Sequence, residues 1–265
     1  MVSEPKLVGK VAIVTGAGSS GPGFGTGKAM SVCFAREGAR LVLVDKFEDR
    51  AKETLALVEA EDGEAIVLTI DLAEVASAQR IVDEAVSAFG GVDILVNNAA
   101  IASSTGILDT TPELYQQVLA VNLTAPFMLT KAVIPVMQQA GGGAIVNITS
   151  IAAMRGSGGG GQTAYAAAKA GLMGLMIDVA DSFGKHGIRI NCIAPGIIDT
   201  PMRTQAMLQA GVDPKEIDLS FKTSLGIEGD AWDIARTVLF LAGPDGRYIT
   251  GVLIPVDGGV TARSH

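Results

Sequence analysis

The chain is poor in the residues that build metal centres and disulfide frameworks. It has two cysteines, Cys33 and Cys192, and two histidines, His186 and His265. Both cysteines lie within apolar stretches, so buried reduced thiols are expected and a transition-metal site is not. Positive charge is also short: 20 Lys+Arg stand against 28 Asp+Glu, a net charge of −8. That balance disfavours nucleic acid and anionic membrane surfaces as partners. No apolar run approaches the roughly 20 residues of a membrane span. The N-terminal MVSEPKLVGK lacks the apolar core of a secretion signal, so a cytoplasmic location is the expectation. Charged residues make up only 18% and apolar ones 48%, which excludes disorder and supports a buried core.

What is present is rhythm. Short β-branched runs occur at 11–15, 40–45, 65–71, 92–98, 144–150, 188–194 and 252–257. They are continuously apolar rather than alternating, as strands covered on both faces must be. Helical patterns fill the gaps at about 25–37, 47–61, 74–89, 112–140, 162–185 and 230–243. This alternation predicts an α/β fold: a doubly wound, Rossmann-type, mostly parallel seven-stranded sheet with helices on both faces. With no linker in sight, residues 1–265 are read as a single domain. The segment Thr200 to Gly229 breaks the rhythm, with weak helical character and no strand, and is expected to be a substrate lid.

Between Thr15 and Ala29 the chain reads TGAGSSGPGFGTGKA. Gly16, Gly18 and Gly21 satisfy G-x-G-x-x-G literally, but a helix starting at Gly21 would carry Pro22, Gly23, Gly25 and Gly27 in its first turns. At about 1 kcal/mol per glycine that start is disfavoured. The run able to propagate begins near Gly25. Gly16 is therefore assigned to the turn after the first strand, and Gly25 and Gly27 to the helix entrance, where backbone amides can face a pyrophosphate. Residues 18–23 become an enlarged loop. A G-x-x-x-x-G-K-[ST] phosphate loop is excluded at Gly27-Lys28, because Pro22 occupies its first position and Ala29 offers no hydroxyl. Asp45 ends the second strand, where a carboxylate can accept from ribose hydroxyls and repel a 2′-phosphate; this favours NAD over NADP. It can also cap the following helix.

TAYAAAKAGL places Tyr165 and Lys169 four residues apart, on one face of an alanine-rich helix. A free phenol has a pKa of about 10. A neighbouring ammonium favours the phenolate and lowers that value, which makes the pair an acid/base candidate.

From Lys10 to Gly259 the chain resembles the short-chain dehydrogenase/reductase family, in its compact single-domain branch. The resemblance rests on TG…GxGKA (15–29), Asp71-Leu72, NNAA (97–100), Asn122 in LAVNLTAPF, IVNITSIAA (145–153), YAAAK (165–169), RINCIAPGIIDTPM (189–202) and FLAGPDGRYITGVLIPVDGG (240–259). It implies Tyr165 as general acid/base and Lys169 as its pKa modulator and a ligand of the nicotinamide ribose. It also implies Ser150 as the hydroxyl that holds the substrate oxygen, with Thr149 as the adjacent competitor. Asn122 would extend a proton path to Lys169, or serve as a structural backbone bond. Asp71 and Leu72 would border the adenine, Asn98 and Ala99 the ribose, while Asn97 reads as a structural strand-end residue. Pro195, Gly196, Ile198 and Thr200 would bracket the nicotinamide. The cofactor implied is NAD, and family members are usually homotetramers; helices 112–140 and 162–185 are apolar on more than one face, as subunit contacts require.

The chain departs from the family at three places: the enlarged loop after Gly16, Ala100 where the family has glycine, and a lengthened Ser150–Tyr165 interval holding Gly158–Gly161. The expected activity is interconversion of a secondary alcohol and a ketone, with a largely apolar small substrate met by Met202, Met207, Leu208, Phe221 and Leu225. The rival enzyme reading is a 3-oxoacyl-thioester reductase, generally NADPH-dependent; the rival of another class is a catalytically idle NAD-binding sensor or scaffold.

Overall fold

The computed structural model describes residues 4–156, 161–209 and 211–263. The strands are β1 (Val11–Thr15), β2 (Arg40–Asp45), β3 (Glu64–Thr69), β4 (Ile94–Asn97), β5 (Gly143–Ile148), β6 (Ile188–Pro195), β7 (Ile198–Asp199), β8 (Gly229–Asp230) and β9 (Leu253–Val256). Between them lie α1 (Thr26–Arg36), α2 (Glu48–Glu59), α3 (Ser77–Phe89), α4 (Pro112–Leu119), α5 (Ala125–Gln139), α6 (Thr163–Phe183), α7 (Pro201–Gln209) and α8 (Ala231–Ala242). Seven strands form one sheet in the order β3-β2-β1-β4-β5-β6-β9, every pairing parallel. The expected doubly wound sheet is therefore present.

Strand β1 shows why continuous apolar runs read as buried strands. Ala12 and Val14 join the core layer beneath α1 and α8, while Val11 and Ile13 join the layer beneath α3, α5 and α6. All five β1 residues are buried. Apolar residues at four consecutive steps, Val11 to Val14, fill both faces of the strand, and only Thr15 at its end is polar.

The run Pro112–Gln139 is helical throughout, and it is long and apolar enough to cross a membrane on length and composition, contrary to the expectation above. It serves as a core helix here: half of its most apolar window is buried, and Leu129, Val133 and Met137 pack in the layer beneath α3, α5 and α6. The run is not regular. Ala120–Thr124 form a π-helical turn, a distortion that re-aims side chains and often accompanies a functional site. The sequence predicts one uniform helix there, because a π turn leaves no pattern of its own.

The sheet order reverses between β1 and β4, so the carboxyl ends of these strands open a crevice, the usual ligand position in such sheets. Thr15 ties the two strands together at that point. Its hydroxyl donates to the Val96 carbonyl at 3.2 Å and accepts from the Asn98 and Ala99 amides at 3.0 and 3.1 Å. The excursion from Thr200 to Gly229 contains more helix than the sequence shows, in α7. The short β7–β8 pair closes its base, with Ile198 opposite Gly229 and Asp199 opposite Asp230. A capping box at Asp230 and Asp233 then starts α8.

Candidate active site

The crevice is a cleft of about 570 Å³, and every cofactor-binding residue expected from the sequence lines it, from Gly16 and Asp45 to Thr200. Helix α1 enters it with Gly25 at the N-cap and no side-chain cap, so its first-turn amides stay available to an anion. Gly16 turns at φ +62°, and a β-carbon there would meet Ala99 Cα at 2.8 Å. Gly27 is still more constrained: its β-carbon would stand 1.9 Å from the Gly16 carbonyl oxygen. At Gly25 the nearest atoms would be 3.4 Å away or farther, so the protein itself tolerates a side chain at this mouth of the cleft. Asn98 clamps the turn by donating to the Thr15 and Gly16 carbonyls at 2.9 and 3.0 Å and accepting from Thr26 Oγ1 at 2.7 Å. The Ser20 hydroxyl, at the lip, is buried without a hydrogen-bond partner. Uncapped amides, a glycine-lined mouth and an orphaned hydroxyl are what a pyrophosphate requires, so the donor set fits a dinucleotide.

Asp45 stands at the end of β2. Its carboxylate accepts from the Gly18 amide and from the Phe47 amide, each at 2.9 Å, which fixes its direction at the cleft wall. Lys46, beside it, is engaged with Asp71 at 2.7 Å. This hydrogen bond, with help from the Ala73 amide, holds the Asp71 carboxyl below its ordinary range. Arg50 also lines this end, stacked 4.0 Å from the Phe47 ring centroid. Lys46 stands next to Asp45, where its charge slightly weakens discrimination against a 2′-phosphate, whereas sequence reading missed Arg50 as a wall residue, because nothing local shows which way an exposed helix start faces.

The chemistry-bearing end combines β5, the turn after it and α6. Lys169 is 2% exposed; its ammonium donates to the Ile148 carbonyl at 2.7 Å and lies 5.7 Å from the Tyr165 ring centroid. Burial lowers its pKa to about 8, so it remains mostly charged at neutral pH. The expected depression of the Tyr165 pKa is not realised in this structure. Burial pushes the phenol above its ordinary value, and the Ser150 hydroxyl only partly offsets that. The reason is geometric: the ammonium is directed to a backbone carbonyl rather than to the phenol oxygen.

Thr149 and Ser150 are told apart by their partners. Thr149 is buried and its hydroxyl donates to the Ile193 carbonyl at 3.0 Å, a strand-to-strand bond. Ser150 is half-buried, accepts from the Ala152 amide at 3.1 Å and faces Tyr165. Asn122 lies in the π turn, fully buried, and its amide exchanges two 2.9 Å bonds with the Ile101 backbone. It pins the loop that carries Ile101 into the cleft and is not itself part of the cleft wall. Asn97 is structural, donating to Asn147 Oδ1 at 2.8 Å within the sheet.

Ala100 carries no positive φ; among the described residues other than glycine only Asp62 does, so alanine is unstrained where the family has glycine. Of the lengthened Ser150–Tyr165 interval, Gly158 to Gly160 lie outside the described residues, while Gly161 turns at φ +105°. Of the five apolar residues expected on the substrate wall, Met202 alone lines the cleft. Leu208, Phe221 and Leu225 are exposed at 58%, 66% and 71% and do not line it. Their places on the wall are taken by Ile101, Val121 and Leu219, with Gln117 and Arg203 as polar members. Both cysteines are buried, and burial raises both thiols, Cys192 to about 12, so neither is reactive.

Comparison with known proteins places this geometry among relatives. A family model described as Enoyl-(Acyl carrier protein) reductase matches residues 22–261. An uncharacterized short-chain type dehydrogenase/reductase of Sinorhizobium fredii is 40% identical over 255 residues, covering 96% of this chain and 98% of that protein. Among solved structures, levodione reductase superposes with a TM-score of 0.91 at 33% identity, covering 98% of this chain and 100% of that one. Carveol dehydrogenase from Mycobacterium avium, in complex with NAD, superposes with a TM-score of 0.89 at 28% identity, again covering 98% and 100%.

Proposed function

The chain belongs to the short-chain dehydrogenase/reductase family, and on that premise we propose that it is an NAD-dependent oxidoreductase interconverting a small secondary alcohol and its ketone, with Tyr165 as acid/base. The observation that carries this reading is the convergence of Ser150, Tyr165 and the buried, charged Lys169 on the same cleft as the uncapped start of α1. A relative named for levodione reduction and another named for carveol oxidation support the alcohol–ketone class.

Gly16, Gly25 and the first turn of α1 would hold the pyrophosphate, Asp45 the adenosine ribose, Asp71 and Leu72 the adenine, and Thr200 the nicotinamide end. When bound, the nicotinamide supplies the hydride chemistry. The protein supplies the proton chemistry. Ser150 donates to the substrate oxygen and holds it beside Tyr165. In oxidation, the Tyr165 phenolate accepts the hydroxyl proton as the carbinol carbon gives up its hydride; in reduction, the phenol returns that proton to the carbonyl oxygen. Lys169, fixed by the Ile148 carbonyl, would hold the nicotinamide ribose and keeps a positive charge one helical turn from the phenol.

Two expected results follow. Ser150→Ala should lower kcat by about 10²–10³-fold, the scale for loss of a donor to a developing oxyanion. Thr149→Ala should leave kcat near wild type and lower Tm instead, because it removes one structural bond worth about 1 kcal/mol. Steady-state kinetics and thermal melts of both variants read this directly, and the reverse pattern would move the hydroxyl role to Thr149. Secondly, kcat/KM with NAD should exceed that with NADP by at least about tenfold, since a 2′-phosphate would meet the Asp45 carboxylate. Asp45→Asn should narrow that ratio. Preference for NADP(H) together with turnover of a 3-oxoacyl thioester would instead favour the acyl-thioester reductase reading. The tetramer and the cytoplasmic location expected from the sequence belong to the same proposal; sizing chromatography tests the first.

A further inference from the structure

We propose that the enlarged loop between β1 and α1 and the helix α7 form a clasp over the dinucleotide's pyrophosphate, and that opening this clasp governs dinucleotide release. The proposal rests on the dinucleotide reading above and deepens it. Helix α7 follows β6 and the short β7, yet it touches the loop beyond β1, which lies three strands from β6 in the sheet, a reach of about 14 Å at the usual strand spacing. The contact has two parts. Gln205 Nε2 donates to the Ser20 carbonyl. The buried Pro201 ring closes against Gly21 and Gly23, where a β-carbon would stand 3.5 and 3.9 Å from its carbons.

Two polar atoms next to this contact are orphaned. The Ser20 hydroxyl on the loop and Arg203 Nε on α7 are both buried without a hydrogen-bond partner, and both residues line the cleft. The rest of the Arg203 guanidinium is held by Glu228 and, at 4.0 Å, by Asp199. Buried donors left unpaired are costly and uncommon. Orphans on the two walls of one cleft, beside an uncapped helix start, call for an acceptor between the walls, and pyrophosphate oxygens are acceptors of the right chemistry.

The anchors show which end opens. The loop is fastened at its start by the Gly18 amide on Asp45 and at its end by Phe24, whose ring lies 5.0 Å from that of Trp232. Between these anchors Gly23 turns at φ +98°. The far end of the lid is fastened by the Ser224 and Leu225 amides on the Gly258 carbonyl, at 2.8 and 3.1 Å. Toward the loop, among the described residues, the near end makes one side-chain hydrogen bond, from an exposed glutamine, while Arg203 of the same helix is tied to Glu228 and not to the loop. The clasp therefore yields there first. The glycines of the loop supply the bend that brings Ser20 under α7, a use for the insertion that cofactor approach alone does not require.

The test is the rate of NADH release, followed by its fluorescence in a stopped-flow chase. Gln205→Ala should accelerate release about fivefold, within the range one hydrogen bond contributes to a dissociation barrier. Ser20→Ala should weaken binding of ADP-ribose, read by calorimetry, by a similar factor. The pair Ser20→Cys/Gln205→Cys, loaded with NADH and bridged by a reducible bifunctional thiol reagent, should release NADH at least about tenfold more slowly and recover on reduction. The native cysteines are buried and do not compete. Unchanged release in Gln205→Ala and in the bridged protein, with wild-type binding intact, overturns the clasp. No NADH binding by the wild type overturns the dinucleotide reading and the clasp with it.

Discussion

Tyr165→Phe is expected to lower kcat by about 10³-fold while leaving NADH binding within a few-fold of wild type, the scale of a lost general acid/base. The substitution removes one oxygen and keeps the ring. The ring packs beside Val118, Ala164 and Ala168, so the fold should be indifferent to the change. Every other element of the cleft, from the α1 entrance to Asp45, stays as it was. A merely structural tyrosine would behave differently: loss of its hydroxyl would move Tm and leave turnover. Burial already holds this phenol above its ordinary pKa. Oxidation of an alcohol should therefore speed up as pH rises, because the phenolate is the base.

Gly27→Ala carries the second large effect, a loss of dinucleotide binding by more than about 100-fold together with a lowered Tm. Helix propensity alone predicts the opposite sign, since alanine is favoured over glycine in a helix by about 1 kcal/mol. Sterics win. The new methyl would lie 1.9 Å from the Gly16 carbonyl oxygen of the turn and 2.7 Å from Asn98 Nδ2, the atom that clamps it. The turn must move, and the amides at the mouth of α1 move with it. Gly25→Ala is the informative contrast. Its φ is −75° and its nearest neighbours would be 3.4 Å away, so the fold should be unaffected. Weaker NADH binding at unchanged Tm would then report the close approach of the ligand itself. Fluorescence titration and thermal melts of the two variants separate these outcomes.

Much of this was legible in the sequence for definite physical reasons. Strands covered on both faces, such as β1, carry apolar residues at consecutive steps, Val11 to Val14, and that pattern survives without coordinates. Rejecting the literal glycine match in favour of Gly25 and Gly27 rested on helix energetics, and α1 does begin at Thr26. Tyr165 and Lys169 were legible because four residues make one turn. The failures have reasons too. The lid residues Leu208, Phe221 and Leu225 were assigned to the substrate wall on apolarity alone, but a short irregular excursion has no period to say which side faces inward. The direction of the Lys169 ammonium, toward Ile148, depends on where β5 passes beneath α6, which is a tertiary fact. The π turn at Asn122 and the contact between Ser20 and Gln205 are of the same kind. The second joins residues 185 positions apart.

The central claim is that the Tyr165 phenol carries the proton, and the chain's tyrosine content allows that group to be watched alone. Of the three tyrosines, Tyr115 and Tyr248 are surface residues, so Tyr115→Phe/Tyr248→Phe leaves Tyr165 as the sole phenol. Its ionisation in the NAD-loaded protein can be followed by ultraviolet absorbance across pH, beside the single-turnover rate of alcohol oxidation read at 340 nm. The account predicts one midpoint shared by the two curves. A rate that rises with pH while the phenol remains un-ionised, or a midpoint that belongs to some other group, would contradict it.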